Sequence, residues 1–107
     1  MSTTVVNIKA REPFDVYIGR RSLRALDPRC RVASPWANRP LEKGQTREES
    51  IADFERRLRW NLEQMPGLRE QLLALRGKRL GCWCKPEACH GDVLVRVIEE
   101  LAAGGEQ

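Results

Sequence analysis

Two apolar segments separated by a long helical stretch constrain the fold of this chain most. Residues 14–18 alternate in hydrophobicity and are followed by Gly19, which is typical of a β-strand with a tight exit. Residues 78–84 predict another strand. Helical connections usually join parallel strands. If these two strands are parallel, their C-terminal ends lie at one edge of the sheet, where ligands bind in open α/β sheets.

The stretch between these strands carries clear helix signals. Thr46 and Glu49 have the spacing of a capping box, in which each side chain accepts a hydrogen bond from a backbone N–H of the other residue. Apolar residues then recur every three or four positions, which predicts one buried helix face. These residues are Ile51, Phe54, Leu58, Leu62 and Met65. Pro66 and Gly67 end this helix, and residues 68–75 predict a shorter second one.

A strand at residues 3–10 and a helix at residues 92–101 complete the pattern. The order predicts an α/β fold, with a small, partly parallel sheet of about three to four strands flanked by three helices. This would be a minimal, Rossmann-like layered architecture. At 107 residues, we expect a single domain over residues 1–107, in which residues 102–107 form a frayed tail.

The sequence predicts a cytoplasmic protein that does not contact a membrane. No apolar run approaches the roughly 18 residues needed to span a bilayer, and the first residues lack the pattern of a signal peptide. In a reducing compartment, cysteines are more often thiols or metal ligands than disulfides. The chain has four cysteines: Cys30, Cys82, Cys84 and Cys89.

The long segment of residues 20–45 is rich in arginine. It lacks a clear period, although residues 22–26 could form one helical turn, and loops of this length are usually functional. Between positions 20 and 39 the segment has six arginines and one acidic residue, Asp27. The arginines are Arg20, Arg21, Arg24, Arg29, Arg31 and Arg39. Guanidinium groups suit phosphate or carboxylate recognition, so an anionic partner is expected, although a GC-rich genome would also enrich arginine.

Several residues near this segment are candidates for substrate binding. Tyr17 and Gly19 precede Arg20, which could hold a phosphate, and Gly19 would allow a close approach of the backbone to a ligand. Trp36 could stack on a base or sugar, or anchor the loop instead. Asn38 could position the base, or serve as a turn residue.

The segment of residues 82–92 has three interpretations. As a metal site, zinc could be held by Cys82, Cys84, Cys89 and His90, with Cys30 as a substitute ligand, or an iron–sulfur cluster by the cysteines. As a catalytic site, Cys84 or Cys89 would be the nucleophile beside a helix N-terminus, with His90 or Asp92 as acid or base. As structural residues, the cysteines would be small apolar core residues and His90 a helix cap.

The order of these motifs resembles a known family. Tyr17-Ile-Gly-Arg20, Ser34-Pro-Trp-Ala-Asn38, Leu80-Gly-Cys-Trp-Cys-Lys-Pro86 and Cys89-His-Gly-Asp-Val-Leu94 are similar to motifs of domain of unknown function 4326, found in bacteria and phages. The resemblance covers nearly the whole chain. It implies where the site lies, and it implies no activity.

Two hypotheses follow for function. The leading one is a nucleotide- or nucleic-acid-directed domain, which could be an enzyme acting on a base or a nucleotide sugar. In it Arg20 holds phosphate, Trp36 and Asn38 position the base or sugar, and the Cys/His segment lines the reacting end. The alternative is a non-catalytic adaptor that is stapled by zinc and binds an acidic partner.

Overall fold

The computed structural model describes residues 2–84 and 87–104 and confirms the small α/β fold. Its three strands are β1 (Thr4–Asn7), β2 (Val16–Tyr17) and β3 (Arg79–Cys82). Its three α-helices are α1 (Arg47–Gln64), α2 (Leu68–Leu73) and α3 (His90–Gly104). None of the helices in this described part of the chain is long and apolar enough to cross a membrane.

The three strands form one parallel sheet in the order β1-β3-β2. Val5 pairs with Leu80 in one ladder, and Tyr17 pairs with Gly81 in the other. The second and third strands are therefore parallel, which is the condition under which their C-terminal ends share an edge, and β3 lies in the centre. The strands are shorter than the sequence pattern predicts, because β1 and β2 are strands only where β3 lies opposite them.

All three helices pack on one face of the sheet. Side chains that alternate along the strands, such as Ile18, Leu80 and Cys82, point into this helix-covered core. α3 lies against β1 as well as against α1 and α2, and it contributes Leu94 and Ile98 to the core. The layering is thus sheet on helices, rather than a sheet sandwiched between two helical layers.

The opposite face is covered by the connection from β1 to β2 and by part of the loop that follows β2. Phe14, Tyr17, Ala25 and Cys30 form a second apolar cluster there. Gly81 lies directly above the Phe14 ring: a Cβ atom at this position would approach Phe14 Cγ to 2.7 Å. The connection can therefore cross beneath β3 because the central strand has no side chain at that point.

The helix boundaries refine the sequence predictions. The α1 capping box is present: Glu49 N–H donates to Thr46 Oγ1 at 3.1 Å, and Thr46 N–H donates to Glu49 Oε1 at 2.9 Å. α3 begins two residues earlier than predicted, and it stays helical at residues 102–104, which were expected to fray. Residues 105–107 of the expected tail lie outside the described residues.

Residues 22–26 form one hydrogen-bonded turn, in which Ala25 N–H donates to the Ser22 carbonyl at 3.2 Å, but they form no helix. A short 3₁₀ helix at Pro28–Arg31 follows instead. It starts there because the Asp27 carboxylate accepts a hydrogen bond from Arg29 N–H at 2.9 Å and Pro28 supplies a favourable first position.

Candidate functional site

A pocket of about 260 Å³ opens at the C-terminal edge of β2 and β3. Gly19 and Arg20 reach it from the end of β2, Trp83 and Cys84 from the end of β3, and His90 from the start of α3. The lining is Gly19, Arg20, Asn38, Arg39, Leu41, Arg47, Ser50, Ile51, Cys82, Trp83, Cys84, Ala88, Cys89 and His90. Two segments that are far apart in sequence therefore share one crevice.

The described lining of this pocket is cationic. It includes Arg20, Arg39 and Arg47 and contains no Asp or Glu. Arg47 donates a hydrogen bond to the Ala88 carbonyl at 3.2 Å. The Arg20 and Arg39 side chains are exposed and have no hydrogen bond or ion pair with the described residues. Two guanidinium groups are therefore available to an anion that enters the pocket.

Other arginines of the loop stabilise the loop itself. Arg29 forms an ion pair with Asp27 at 2.8 Å, and its guanidinium lies 3.8 Å from the centre of the Phe14 ring. Arg31 Nε donates to the Ala25 carbonyl at 2.9 Å. The arginine-rich segment thus divides into residues that fold the loop and residues that face the pocket.

Tyr17 and Gly19 form a structural pair beside the pocket. The Tyr17 ring is buried, and a Cβ atom on Gly19 would lie 2.5 Å from its hydroxyl oxygen. Glycine is required here because the tyrosine folds back over it. Tyr17 does not line the pocket, and its hydroxyl donates a hydrogen bond to the Arg20 carbonyl.

Trp36 lies outside the pocket, whereas Asn38 lines it. The Trp36 side chain is half-buried and packs against the helix-covered core, in a separate depression that includes Phe54. Asn38 Nδ2 donates to Ser50 Oγ at 2.9 Å, and its Oδ1 accepts from Arg57 Nη2 at 2.9 Å. Asn38 thereby fixes the loop to α1. The packing of Trp36 against the core is that of a loop anchor, and Trp36 is not placed to stack on a ligand in this pocket.

Cys89 and Asp92 cap the N-terminus of α3. Cys89 Sγ accepts a hydrogen bond from Gly91 N–H at 3.2 Å, and Asp92 Oδ2 accepts one from Cys89 N–H at 3.2 Å. This arrangement is similar to a capping box with sulfur in place of a hydroxyl, except that the sulfur accepts from Gly91 N–H and not from Asp92 N–H. These two N–H groups are already used within the chain, so they are not free to bind an anion.

The sulfur atoms of Cys82 and Cys89 lie 3.3 Å apart, and both side chains are buried. The contact with Cys82, together with burial, raises the pKa of the Cys89 thiol, and the Gly91 N–H only partly opposes this. Cys89 is therefore held as a thiol, which does not support the expected low-pKa nucleophile there. Cys84 is only partly buried, and it lines the pocket.

His90 is buried in contact with three parts of the fold. Its Nε2 lies 2.7 Å from the Ile18 carbonyl oxygen, so Nε2 carries a proton and donates. Its ring meets the Phe54 ring edge-on with the centres 5.0 Å apart, and Nδ1 lies 3.7 Å from Cys89 Sγ. These contacts tie the start of α3 to the end of β2, which is a positioning role at the floor of the pocket.

We expect the stability of the protein to fall between about pH 7 and about pH 5 because of His90. Burial lowers its pKa, and backbone hydrogen bonds with Ile18 and Trp36 only partly oppose this. Because the pKa of His90 is lower in the folded protein, His90 takes up its proton at a higher pH in the unfolded chain than in the folded one. The contribution of His90 is therefore complete above its ordinary pKa of about 6.5 and is lost as the pH falls below it. His90 is the sole histidine of the chain, and histidine is the one side chain whose ordinary pKa lies in this range.

His90→Gln is the matched variant, since its amide can still donate to the Ile18 carbonyl but does not titrate. The melting temperature of H90Q should change less between about pH 7 and about pH 5 than that of the wild type. Equal pH dependence in both proteins would show that His90 is not the group that titrates.

Among residues 2–84 and 87–104, no group of three or more His, Cys, Asp or Glu side chains is arranged to hold a metal ion. The set Cys82, Cys84, Cys89 and His90 is thus not brought together as a metal centre in that part of the chain. Lys85 and Pro86 of the motif lie outside the described residues.

Trp83 is one of the pocket residues that sequence reasoning did not select for binding; Arg47 and Ser50, at the start of α1, are two others. Its indole is 38% exposed, and its Nε1 donates to the Tyr17 hydroxyl at 2.8 Å. The signal was present in the strand pattern, because alternation that turns Cys82 into the core turns Trp83 away from it. The aromatic group expected from Trp36 is thus supplied at this pocket by Trp83.

Comparison with known proteins finds a similar phage protein and a matching family. It is 32% identical over 97 residues to an uncharacterised 12.4 kDa protein from the nrdA-td intergenic region of Enterobacteria phage T4, with 91% of this chain and 78% of the phage protein covered. No solved structure matches the chain. Residues 6–100 match the family described as domain of unknown function DUF4326, and the chain belongs to that family.

Proposed function

We propose that this protein binds a phosphate-bearing ligand, a nucleotide or a nucleic acid, in the pocket at the C-terminal edge of β2 and β3. The observation that carries this proposal is the charge of the pocket: three arginines and no carboxylate line it in the described chain. Two of them, Arg20 and Arg39, are exposed and unpaired with described residues. Guanidinium groups form strong, directional hydrogen bonds with phosphate oxygens.

The shape and position of the pocket support the same ligand class. Its volume of about 260 Å³ is small and would hold part of a nucleotide rather than a large apolar ligand. It lies outside the C-terminal ends of parallel strands, the usual ligand position in open α/β sheets. Asn38 and Ser50 add polar groups, and Trp83 adds an aromatic ring.

Fewer observations support the hypothesis that the protein is an enzyme. His90 and Asp92 are engaged in fixing α3, and Cys89 is buried. Cys84 combines partial exposure with a place in the lining, so it is the candidate nucleophile that a bound ligand could reach. Ligand binding is therefore the function that the geometry supports best.

Arg20→Ala is expected to weaken binding of a phosphate-bearing ligand by about tenfold or more, since it removes a charge-assisted contact. Isothermal titration with thymidine mono- and triphosphates and with a short oligothymidylate measures this. Arg24→Ala is the matched control, because Arg24 belongs to the same loop, is exposed and lines none of the described pockets. Equal affinity of R20A and R24A for every probe, or no binding by the wild type, would refute the proposal.

A further inference from the structure

A second depression adjoins the pocket and shares two of its residues. It has a volume of about 490 Å³ and is lined by Arg20, Arg21, Ser22 and Trp83. Arg20 and Trp83 also line the first pocket. The two therefore form one continuous surface, with the exposed indole at their junction and arginines on both sides of it.

The indole and Arg20 are fixed by the same hydroxyl group. Trp83 Nε1 donates to the Tyr17 hydroxyl at 2.8 Å, and that hydroxyl donates to the Arg20 carbonyl. Tyr17 is itself held in the second apolar cluster, with its ring centre 6.4 Å from that of Phe14. The aromatic ring and the backbone of Arg20 are thus held in place by a buried side chain, and the Arg20 guanidinium is exposed beside them.

We propose that the ligand is a single-stranded nucleic acid, with one base stacked on Trp83 and its backbone phosphates held by arginines on both sides. This deepens the proposed function and rests on it. On one side lie Arg39 and Arg47, and on the other lies Arg21, with Arg20 between them. A free mononucleotide would use one of the two depressions, whereas a strand has phosphates on both sides of each base.

The chemistry favours a single strand over a duplex. An exposed aromatic ring stacks on a base only when that base is free of its neighbours and its pairing partner. Duplex bases are stacked inside the helix and present only their edges. Grooves that combine arginines with aromatic rings bind single strands with little sequence preference.

The test is fluorescence anisotropy with labelled oligothymidylate and oligouridylate, and with a blunt DNA duplex of matched length. Trp83→Ala should weaken single-strand binding by about five- to 150-fold, the range found when a stacking aromatic residue is removed. Trp83→Phe should bind more tightly than Trp83→Ala because phenylalanine keeps an aromatic face, but more weakly than the wild type because it loses the hydrogen bond to the Tyr17 hydroxyl. Trp60→Ala is the control, since Trp60 is 62% exposed on α1 and lines neither depression.

The outcomes separate this inference from the proposed function. If R20A loses mononucleotide and oligonucleotide binding but W83A matches W60A, the phosphate site stands and the stacking site is wrong. Tighter binding of the duplex than of the single strand would also overturn the inference. If neither R20A nor W83A changes any affinity, both proposals fail. Circular dichroism of W83F and W83A establishes that each variant is folded before its affinity is compared.

Tyr17→Phe tests the positioning of the indole without removing it. The substitution keeps the ring in the second apolar cluster but deletes the hydroxyl that joins Trp83 Nε1 to the Arg20 carbonyl. If a fixed indole matters, Y17F should bind the single strand more weakly than wild type, and its tryptophan fluorescence quenching by oligothymidylate should fall. Unchanged binding and unchanged quenching would show that this hydroxyl does not position the stacking residue.

Discussion

Gly81→Ala should lower the free energy of unfolding by about 1–3 kcal/mol, although the change adds only one methyl group. The new Cβ atom would lie 2.7 Å from Phe14 Cγ and 3.0 Å from Ile8 Cδ1. Phe14 has little room to withdraw, because its ring is buried and the Arg29 guanidinium covers it at 3.8 Å. Either β3 or the crossing connection must shift, and β3 carries both ladders of the sheet.

The gain that alanine usually has over glycine, about 0.4–1 kcal/mol from the unfolded chain, is too small to offset this clash. Chemical denaturation gives the difference directly. Gly104→Ala is the matched control, because nothing lies within 4 Å of its added Cβ atom and it sits in α3. G104A should be neutral or slightly stabilising.

A double-mutant cycle with Phe14 identifies the cause of the loss. Phe14→Ala alone should cost about 3–5 kcal/mol as a large-to-small substitution in a buried cluster. In that background G81A should cost much less than it does in the wild type, since the ring that it would strike is gone. If the two effects simply add, the destabilisation at Gly81 arises from something other than Phe14.

The sequence predicted the helices well, because their signals are local. It predicted the lengths of the strands less well, because these depend on pairing with a neighbouring strand. The capping box at Thr46 and the apolar stripe behind it are local, and α1 begins where they place it. Strand lengths depend on which residues find a partner, so residues 3–10 reduce to Thr4–Asn7 and residues 14–18 to Val16–Tyr17. Hydrophobic alternation carries no information about where the neighbouring strand ends.

The pocket could be located from the sequence, but the roles within it could not. The parallel strand ends bring Arg20 and Cys84 to one edge, which the order of elements implies. Arg29 stabilises the loop, whereas Arg39 lines the pocket. This difference depends on the conformation of the loop, which the sequence pattern does not predict. The same limit applies to Trp36 and to the thiol cap at Cys89, since each role is set by tertiary contacts.

Reversing the charge of Arg39 should weaken single-strand binding by about 10- to 100-fold while leaving the fold intact. The Arg39 side chain is exposed and makes no hydrogen bond or ion pair with the described residues, so its replacement removes no contact that holds the protein together. The glutamate of R39E would place a carboxylate against the ligand phosphates in a lining that otherwise has none in the described chain. The predicted signature is therefore lost affinity with an unchanged melting temperature.

Salt dependence separates a local contact from a general change in charge. Arg39→Glu and Arg24→Glu lower the net charge of +4 by the same amount, but only Arg39 lines the pocket. If Arg39 contacts a phosphate, R39E should reduce the slope of log affinity against log salt by about 0.7 or more between about 50 and about 200 mM salt, because one fewer counterion is released. R24E should keep nearly the wild-type slope. Equal slopes for the two variants would mean that the ligand responds to the overall charge of the protein and not to a site at the end of β2 and β3.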